Sequence, residues 1–438
     1  MNHTKSKMSV FQMTVITVIN MMGSGIVLLP SKLAEVGTIS ILSWIVTAGG
    51  STALAYVLAK CGTFSRKEGG MGGYAEYSFG KTGNFLSNYS YSISILIANV
   101  AIALSMVGYA SVLFNMELSP VTMALCTILA LWAAAMMNAW GARLTGRFSS
   151  FAIIGVLVPV LGLSLFGWFW FDPQMYVSSW NPHEYPLGEA VSMSISITLW
   201  SFLGLESACV NMDSIDNPER NIPIAVLCGT LATAAIYIAS TSAVAGIVPQ
   251  EALVNSTAPF GLAFATLFGD TAGKIITGLI VLANFGSLLA WQFTIARLFC
   301  SSARVGYFPS IFQRVTSSDV PLQGMMILCC IESAMVMMTV TPTLMAQFEI
   351  LVNLAVITNL APYLLAAAAA ATILKQAGAG SRQRAVMNVA VFITFAYNLY
   401  AAYTAGAMSI LSGSGMILAG LIVYSIVNRK KLSVSTVR

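Results

Sequence analysis

The sequence predicts an all-α integral membrane protein of twelve transmembrane helices, and three observations carry that prediction. Hydrophobic residues fill 57% of the 438 positions and charged residues only 8%, whereas a soluble chain carries about a quarter of its residues as Asp, Glu, Lys and Arg. Apolar runs of roughly 20 residues, each long enough to span the hydrocarbon core, recur along the whole length. Lysine and arginine gather in alternate loops between those runs.

Hydropathy places the helices at roughly 10–31, 38–60, 83–113, 120–138, 147–171, 187–212, 222–246, 273–300, 321–341, 346–374, 385–405 and 408–428. The first follows about nine polar residues with no small-residue cleavage site, so it is expected to stay rather than leave as a signal peptide. An even number of spans puts both termini on one side. Of the 21 Lys and Arg, about 19 fall on that side and only Lys32 and Lys274 opposite, which makes it the cytoplasm. The net charge of +5 therefore reports topology and not a nucleic-acid surface. Glu35, Glu117, Asp172, Glu184, Glu189, Glu251 and Asp270 fall outside, as solvated loop residues. Seven scattered cysteines predict no disulfide framework, and two histidines, His3 and His183, argue against zinc or haem; no cofactor is expected.

Two spans contain sequence that a continuous helix would avoid. In Asn20-Met21-Met22-Gly23-Ser24-Gly25-Ile26, two glycines flank a serine in mid-span, each costing about 1 kcal/mol of helix propensity relative to alanine. Tight packing of small residues is the competing reading for either glycine alone. In the sixth span Gly204 and Glu206 place a carboxylate beside a glycine. An ionisable residue at a helix centre costs about 3 kcal/mol on insertion scales, so it faces a cavity or a partner. No Lys or Arg lies near Glu206 in the predicted spans, which leaves a substrate ammonium, a proton or both as its counter-charge. A membrane enzyme would show a cluster of nucleophile, base or metal ligands, and none is visible.

The interrupted spans, first and sixth, occupy equivalent places if helices one to five (about 10–171) and six to ten (about 187–374) are two inverted five-helix repeats, with helices eleven and twelve (about 385–428) appended in a single domain, 1–438. In such a 5+5 arrangement with broken helices 1 and 6, half-helix N–H groups at Ser24, Gly25 and Ile26, in the break that Gly23 opens, hold a substrate carboxylate, and Gly204 to Glu206 hold its amine. Trp200, Trp291, Tyr91 and Tyr424 can cover an ammonium through the ring quadrupole. Asn99 is expected to face the cavity from helix three. Glu332 and Glu349 also fall in or near spans, without an assigned role. Gly69-Gly70-Met71-Gly72-Gly73-Tyr74-Ala75-Glu76-Tyr77 lacks the Gly-Lys-Ser ending and preceding strand of a phosphate loop, and reads as a flexible access loop bearing an acid.

These two interrupted segments, the glycine-rich run ending at Glu76-Tyr77, and Asn217-Pro218-Glu219-Arg220 resemble the basic amino acid/polyamine antiporters of the amino acid/polyamine/organocation superfamily, and within it the putrescine/ornithine exchangers. Ser179-Trp180-Asn181-Pro182-His183 and the run from Asn255 to Phe264 extend the likeness nearly end to end. The resemblance implies an inner-membrane exchanger of an amino acid for its decarboxylated amine, with lysine/cadaverine or arginine/agmatine as the alternative pairs. It implies a carboxylate-binding break at Ser24 and Gly25, a gating role for Trp200, amine or proton sensing at Glu206 and an aromatic floor at Trp291. It also ties Cys61, Glu76, Tyr91, Cys209, Tyr307 and Tyr424 to amine recognition, and departs at Cys300, where a lysine is expected. Expected partners are putrescine, ornithine, protons, lipid and a second copy of the chain, with no nucleic acid.

Overall fold

A computed structural model describes residues 9–23, 25–67, 69–206, 217–317 and 319–435, and these form helices joined by turns, with no strand among the described residues. The N-terminal part holds α1 (Val10–Met21), α2 (Leu29–Val36), α3 (Ile41–Phe64), α4 (Gly70–Leu113), α5 (Pro120–Asn138), α6 (Ala142–Ala152) and α7 (Ile154–Phe166). Next come α8 (Pro173–Ser178), α9 (Leu187–Trp200), α10 (Pro218–Ile247), α11 (Gln250–Val254), α12 (Pro259–Phe268) and α13 (Asp270–Arg304). The chain ends with α14 (Leu322–Met338), α15 (Leu344–Gln376), α16 (Ser381–Thr404) and α17 (Ala407–Ser435). Among the described residues eight helical segments are long and apolar enough to cross a membrane, and α1, α12, α14 and residues 407–422 of α17 are shorter apolar helices.

The long helices α13 and α15 both pack against α4 in the interior, while α10 supports α1 and α3, and α16 lies across α3 and α15. The outside of the bundle is greasy: Leu129, Phe151, Phe169, Phe392 and Leu411 are all at least 70% exposed. Apolar surface on that scale is what lipid would cover.

Where the chain leaves helix, the sequence gives the reason. Ser9 closes α1 with a capping box to Gln12, and the helix stops at Met21, just before Gly23. Residues 22–23 and 25–28 are turns and bends, and Pro30, in the first turn of α2, restarts the helix where its missing N–H costs nothing. The sixth predicted span ends at Trp200, and 201–206 form tight turns around Gly204, whose φ of +107° suits only glycine. The ten residues that follow lie outside the described set, Cys209 among them, as does Ser24.

Two expectations are corrected. The glycine-rich run is not a loop: it is the first part of α4, which begins at Gly70 and bends at Gly80, where φ is 61°. Packing overrides the poor helix propensity of glycine here, because a Cβ on Gly72 would strike the Asn84 and Asn88 side chains that lie over it. The second correction concerns the connections that hydropathy left as loops, which hold α8, α11 and the apolar α12; prolines at the first turn of α8 and α12 and Asp172 capping α8 start these helices.

Candidate functional site

The ends of α1 and α9 meet in the middle of the bundle. A Cβ on Gly204 would come within 2.8 Å of the Asn20 carbonyl oxygen, and one on Gly25 within 3.2 Å of the Ser201 Cα, so the two interruptions pack backbone against backbone. Helix ends leave carbonyls without intrahelical partners. Tyr237 of α10 supplies one hydroxyl to both ends, 2.7 Å from the Met21 oxygen and 3.2 Å from that of Ser201. Tyr109 of α4 donates to the Val27 oxygen at 2.7 Å on the far side of the first break.

Beside this junction lies a cavity of about 500 Å³, lined by Asn20, Met21, Gly23 and Gly25 from the first break, Trp200, Leu203, Gly204 and Glu206 from the second, Tyr91, Ser94, Ile95, Ala98 and Ile102 from α4, Trp291 from α13 and Asn359 from α15. Glu206 is 6% exposed. Its Oε2 accepts the Tyr363 hydroxyl at 2.7 Å and the Gly204 backbone N–H at 3.1 Å, and the Tyr91 hydroxyl is directed at the same carboxylate. No Lys or Arg pairs with it among the described residues. These donors orient the carboxylate, and none of them supplies a positive charge. The ring of Trp200 stands edge-on to Phe348, centroids 6.3 Å apart, and Trp291 and Tyr91 present further aromatic surface. A carboxylate and aromatic faces around one apolar hollow are the chemistry that takes up an organic ammonium ion.

With that geometry in hand, comparison with known proteins is decisive. The amino acid permease family profile matches residues 8–427. The chain belongs to that family. Two curated proteins named putrescine transporter PotE are each 56% identical to the permease: one from Haemophilus influenzae, over 98% of this chain and 99% of its own length, and one from Escherichia coli, over 98% of both. A cadaverine/lysine antiporter of Escherichia coli is 32% identical over 82% of this chain and 81% of its own. With its apolar helices, this likeness makes the permease a multi-pass protein of the bacterial inner membrane.

Of the residues singled out from sequence, the permease brings Gly23, Gly25, Tyr91, Trp200, Gly204, Glu206 and Trp291 to the cavity. Ile26 is fully buried and is not part of the lining. Asn99 also stands elsewhere: its neighbour Ala98 faces the cavity, while the Asn99 amide donates to Glu332 Oε1 at 2.8 Å. Cys61 is buried with its Sγ 3.9 Å from the Ala366 oxygen on α15. Glu76 is paired with Lys67 at 2.8 Å and accepts the Asn84 amide at 2.7 Å. Tyr307 and Tyr424 join a ring cluster around Phe85, which stacks on Tyr424 at 4.5 Å. Burial, and then the Glu76 and Tyr424 charges, push the Tyr307 phenol above its ordinary range. These three residues therefore form a second polar and aromatic group apart from the cavity.

Sequence reasoning missed Asn20, Ser94, Asn359 and Tyr363. The last two lie four residues apart in α15 and so share a face. A polar amide inside a 33-residue apolar helix was the available signal. Asn359 is 1% exposed, lines the cavity and stands within reach of the Tyr363 hydroxyl.

Proposed function

We propose that the permease exchanges putrescine for ornithine across the inner membrane by alternating access, with proton-coupled putrescine uptake as a second mode. The observation that carries this reading is Glu206, a buried carboxylate at a cavity wall held by oriented donors, with no cationic side chain paired to it among the described residues. A diamine supplies the missing charge. Identity of 56% over nearly the whole chain to proteins named putrescine transporter supports that substrate, against 32% to the cadaverine/lysine antiporter.

In this reading the ammonium shared by both substrates docks at Glu206 between Trp200, Trp291 and Tyr91, and the carboxylate of ornithine takes N–H groups of the break at 23–26. Twelve spans, two inverted five-helix repeats and cytoplasmic termini complete the proposal, supported by the positive-inside bias and by helices that stop at Met21 and Trp200. Putrescine carries two charges and ornithine one, so exchange moves net charge, and about 2.3 kcal/mol per 100 mV biases its direction.

Proteoliposomes loaded with ornithine test this directly. Labelled putrescine should enter only when ornithine is inside or a proton gradient is imposed, and Glu206→Gln should abolish entry while the protein remains monodisperse. Normal uptake in that variant defeats the role given to Glu206. Stronger counterflow with cadaverine and lysine than with putrescine and ornithine would move the assignment to the other pair.

A further inference from the structure

A second carboxylate is buried in the bundle, outside the cavity. Glu332 of α14 is 1% exposed. Its Oε1 accepts the Asn99 amide of α4 at 2.8 Å, and its Oε2 accepts the Gln292 amide of α13 at 3.2 Å. Gln292 is held in turn by donating to the Leu131 oxygen of α5 at 3.0 Å, and α14 is fixed to α5 by Trp132, which donates to Ser333 at 3.0 Å. The cluster stands directly behind the cavity wall, because Ala98 and Trp291, chain neighbours of Asn99 and Gln292, line the cavity.

Resting on the transport reading above, we propose that Glu332 is a second proton-binding site, distinct from Glu206, which takes up and releases a proton during the cycle. A carboxylate in a bundle core needs a positive partner. Among the described residues no Lys, Arg, His or other acid acts on Glu332: α4 presents Asn99, α13 presents Gln292, α5 presents the Leu131 carbonyl and Trp132, and the turn Ser310–Gln313 presents Phe312 to Gly324. The titratable group that Glu332 acts on is the Cys329 thiol of its own helix. A metal ion does not suit the site, since the groups facing both carboxylate oxygens are N–H donors where a cation requires oxygen ligands. An amine does not suit it either, because the acid is enclosed on every side by packed helices. A proton suits it well.

The amides also provide a place for that proton. Asn99 Oδ1 and Gln292 Oε1 are buried acceptors with no hydrogen-bond partner. With Glu332 ionised, both amides turn their nitrogens to it, as observed. With Glu332 protonated, its new O–H needs an acceptor, and a half-turn of the Asn99 amide offers its idle Oδ1 while Gln292 keeps its bond to Leu131. The cluster thus has one bonded arrangement for each protonation state, and each arrangement abuts a cavity-lining residue. The step is simple protonation: a proton from water adds to the carboxylate, with no other reactant.

The test uses the reconstituted full-length chain. Infrared difference titration in light and heavy water should show two carboxyl bands that change with pH, one lost in Glu206→Gln and the other lost in Glu332→Gln. Ornithine-driven putrescine entry at equal pH should persist in Glu332→Gln, while acceleration by an imposed pH gradient is lost. Gln292→Leu, which keeps the acid, should displace the midpoint of the second band. The proposal is overturned if Glu332→Gln deletes no titrating band, if it keeps the gradient response of the parent, or if Gln292→Leu leaves the midpoint in place. Absence of any putrescine exchange in the parent protein would defeat the transport reading alone, since the infrared assignment does not depend on it.

Discussion

Replacing Gly204 with alanine probes the contact between the two interrupted helices most directly. The residue has φ of +107°, and a Cβ there would sit 2.8 Å from the Asn20 carbonyl oxygen, a backbone atom that cannot swing aside. Holding a non-glycine residue in that conformation costs about 1–3 kcal/mol. Relieving the overlap by shifting packed backbone costs about 1–3 kcal/mol more. An unfolding entropy of about 2.1 cal/mol/K per residue makes each kcal/mol worth about 1 °C in a chain of this size, so Tm should fall by about 2–6 °C. The control is Gly49→Ala in α3, which has ordinary helical backbone and no atom within 4 Å of the added carbon. That change should stabilise by about 0.5–1 kcal/mol. Thermal denaturation of both variants in detergent, followed by tryptophan fluorescence, is the assay. If Gly204→Ala melts with or above the parent and still takes up putrescine, the close approach of Gly204 to Asn20 is not a feature of the folded protein.

Tyr237→Phe should lower stability by about 1–3 kcal/mol, because it strips a buried donor from the Met21 and Ser201 carbonyls; an unchanged Tm would show that other donors replace it. Lys32 is the buried member of a triad with Glu35 at 2.6 Å and Glu349 at 2.9 Å, both far more exposed than the lysine. Glu35→Gln with Glu349→Gln should therefore cost about 3–5 kcal/mol by stranding the buried ammonium, whereas Lys32→Met leaves only hydrated carboxylates and should cost about 1 kcal/mol or less; the reverse order in denaturation would refute this. The Arg297 guanidinium, 2.7 Å away, holds the Asp319 carboxyl below its ordinary value of 3.8. A depressed carboxylate contributes stability above its unfolded pKa and loses it as pH falls through the folded one, so Asp319→Asn should change Tm near neutral pH slightly, in a salt-sensitive way, and not at all below both values.

The first interruption and the principal carboxylate were legible because each is a local anomaly: glycine and serine in mid-span at 23–25, and a charge inside an apolar run at Glu206. Trp291 was legible because tryptophan is unusual in mid-span, and Trp200 because it lies six residues before Glu206 in the same span. Facing was the illegible part. Successive helical residues turn by about 100°, so whether Ala98 or Asn99 meets the cavity depends on how α4 is rotated against α13 and α15, which no single helix encodes. Tyr363 escaped notice for the same reason, since a tyrosine in an apolar span reads as packing until Glu206 is seen 2.7 Å from its hydroxyl. The helical start of α4 was missed because its glycines are poor helix formers in isolation and become useful only where Asn84 and Asn88 lie over them.

The hydroxyl of Tyr237 has a single hydrogen to share between the two helix ends it touches. Any rearrangement that draws those ends apart obliges the phenol to follow one and desert the other, so the carbonyl it leaves must find water or a guest molecule. One aromatic side chain thereby sets how far the halves of the bundle can separate before solvent has to take its place.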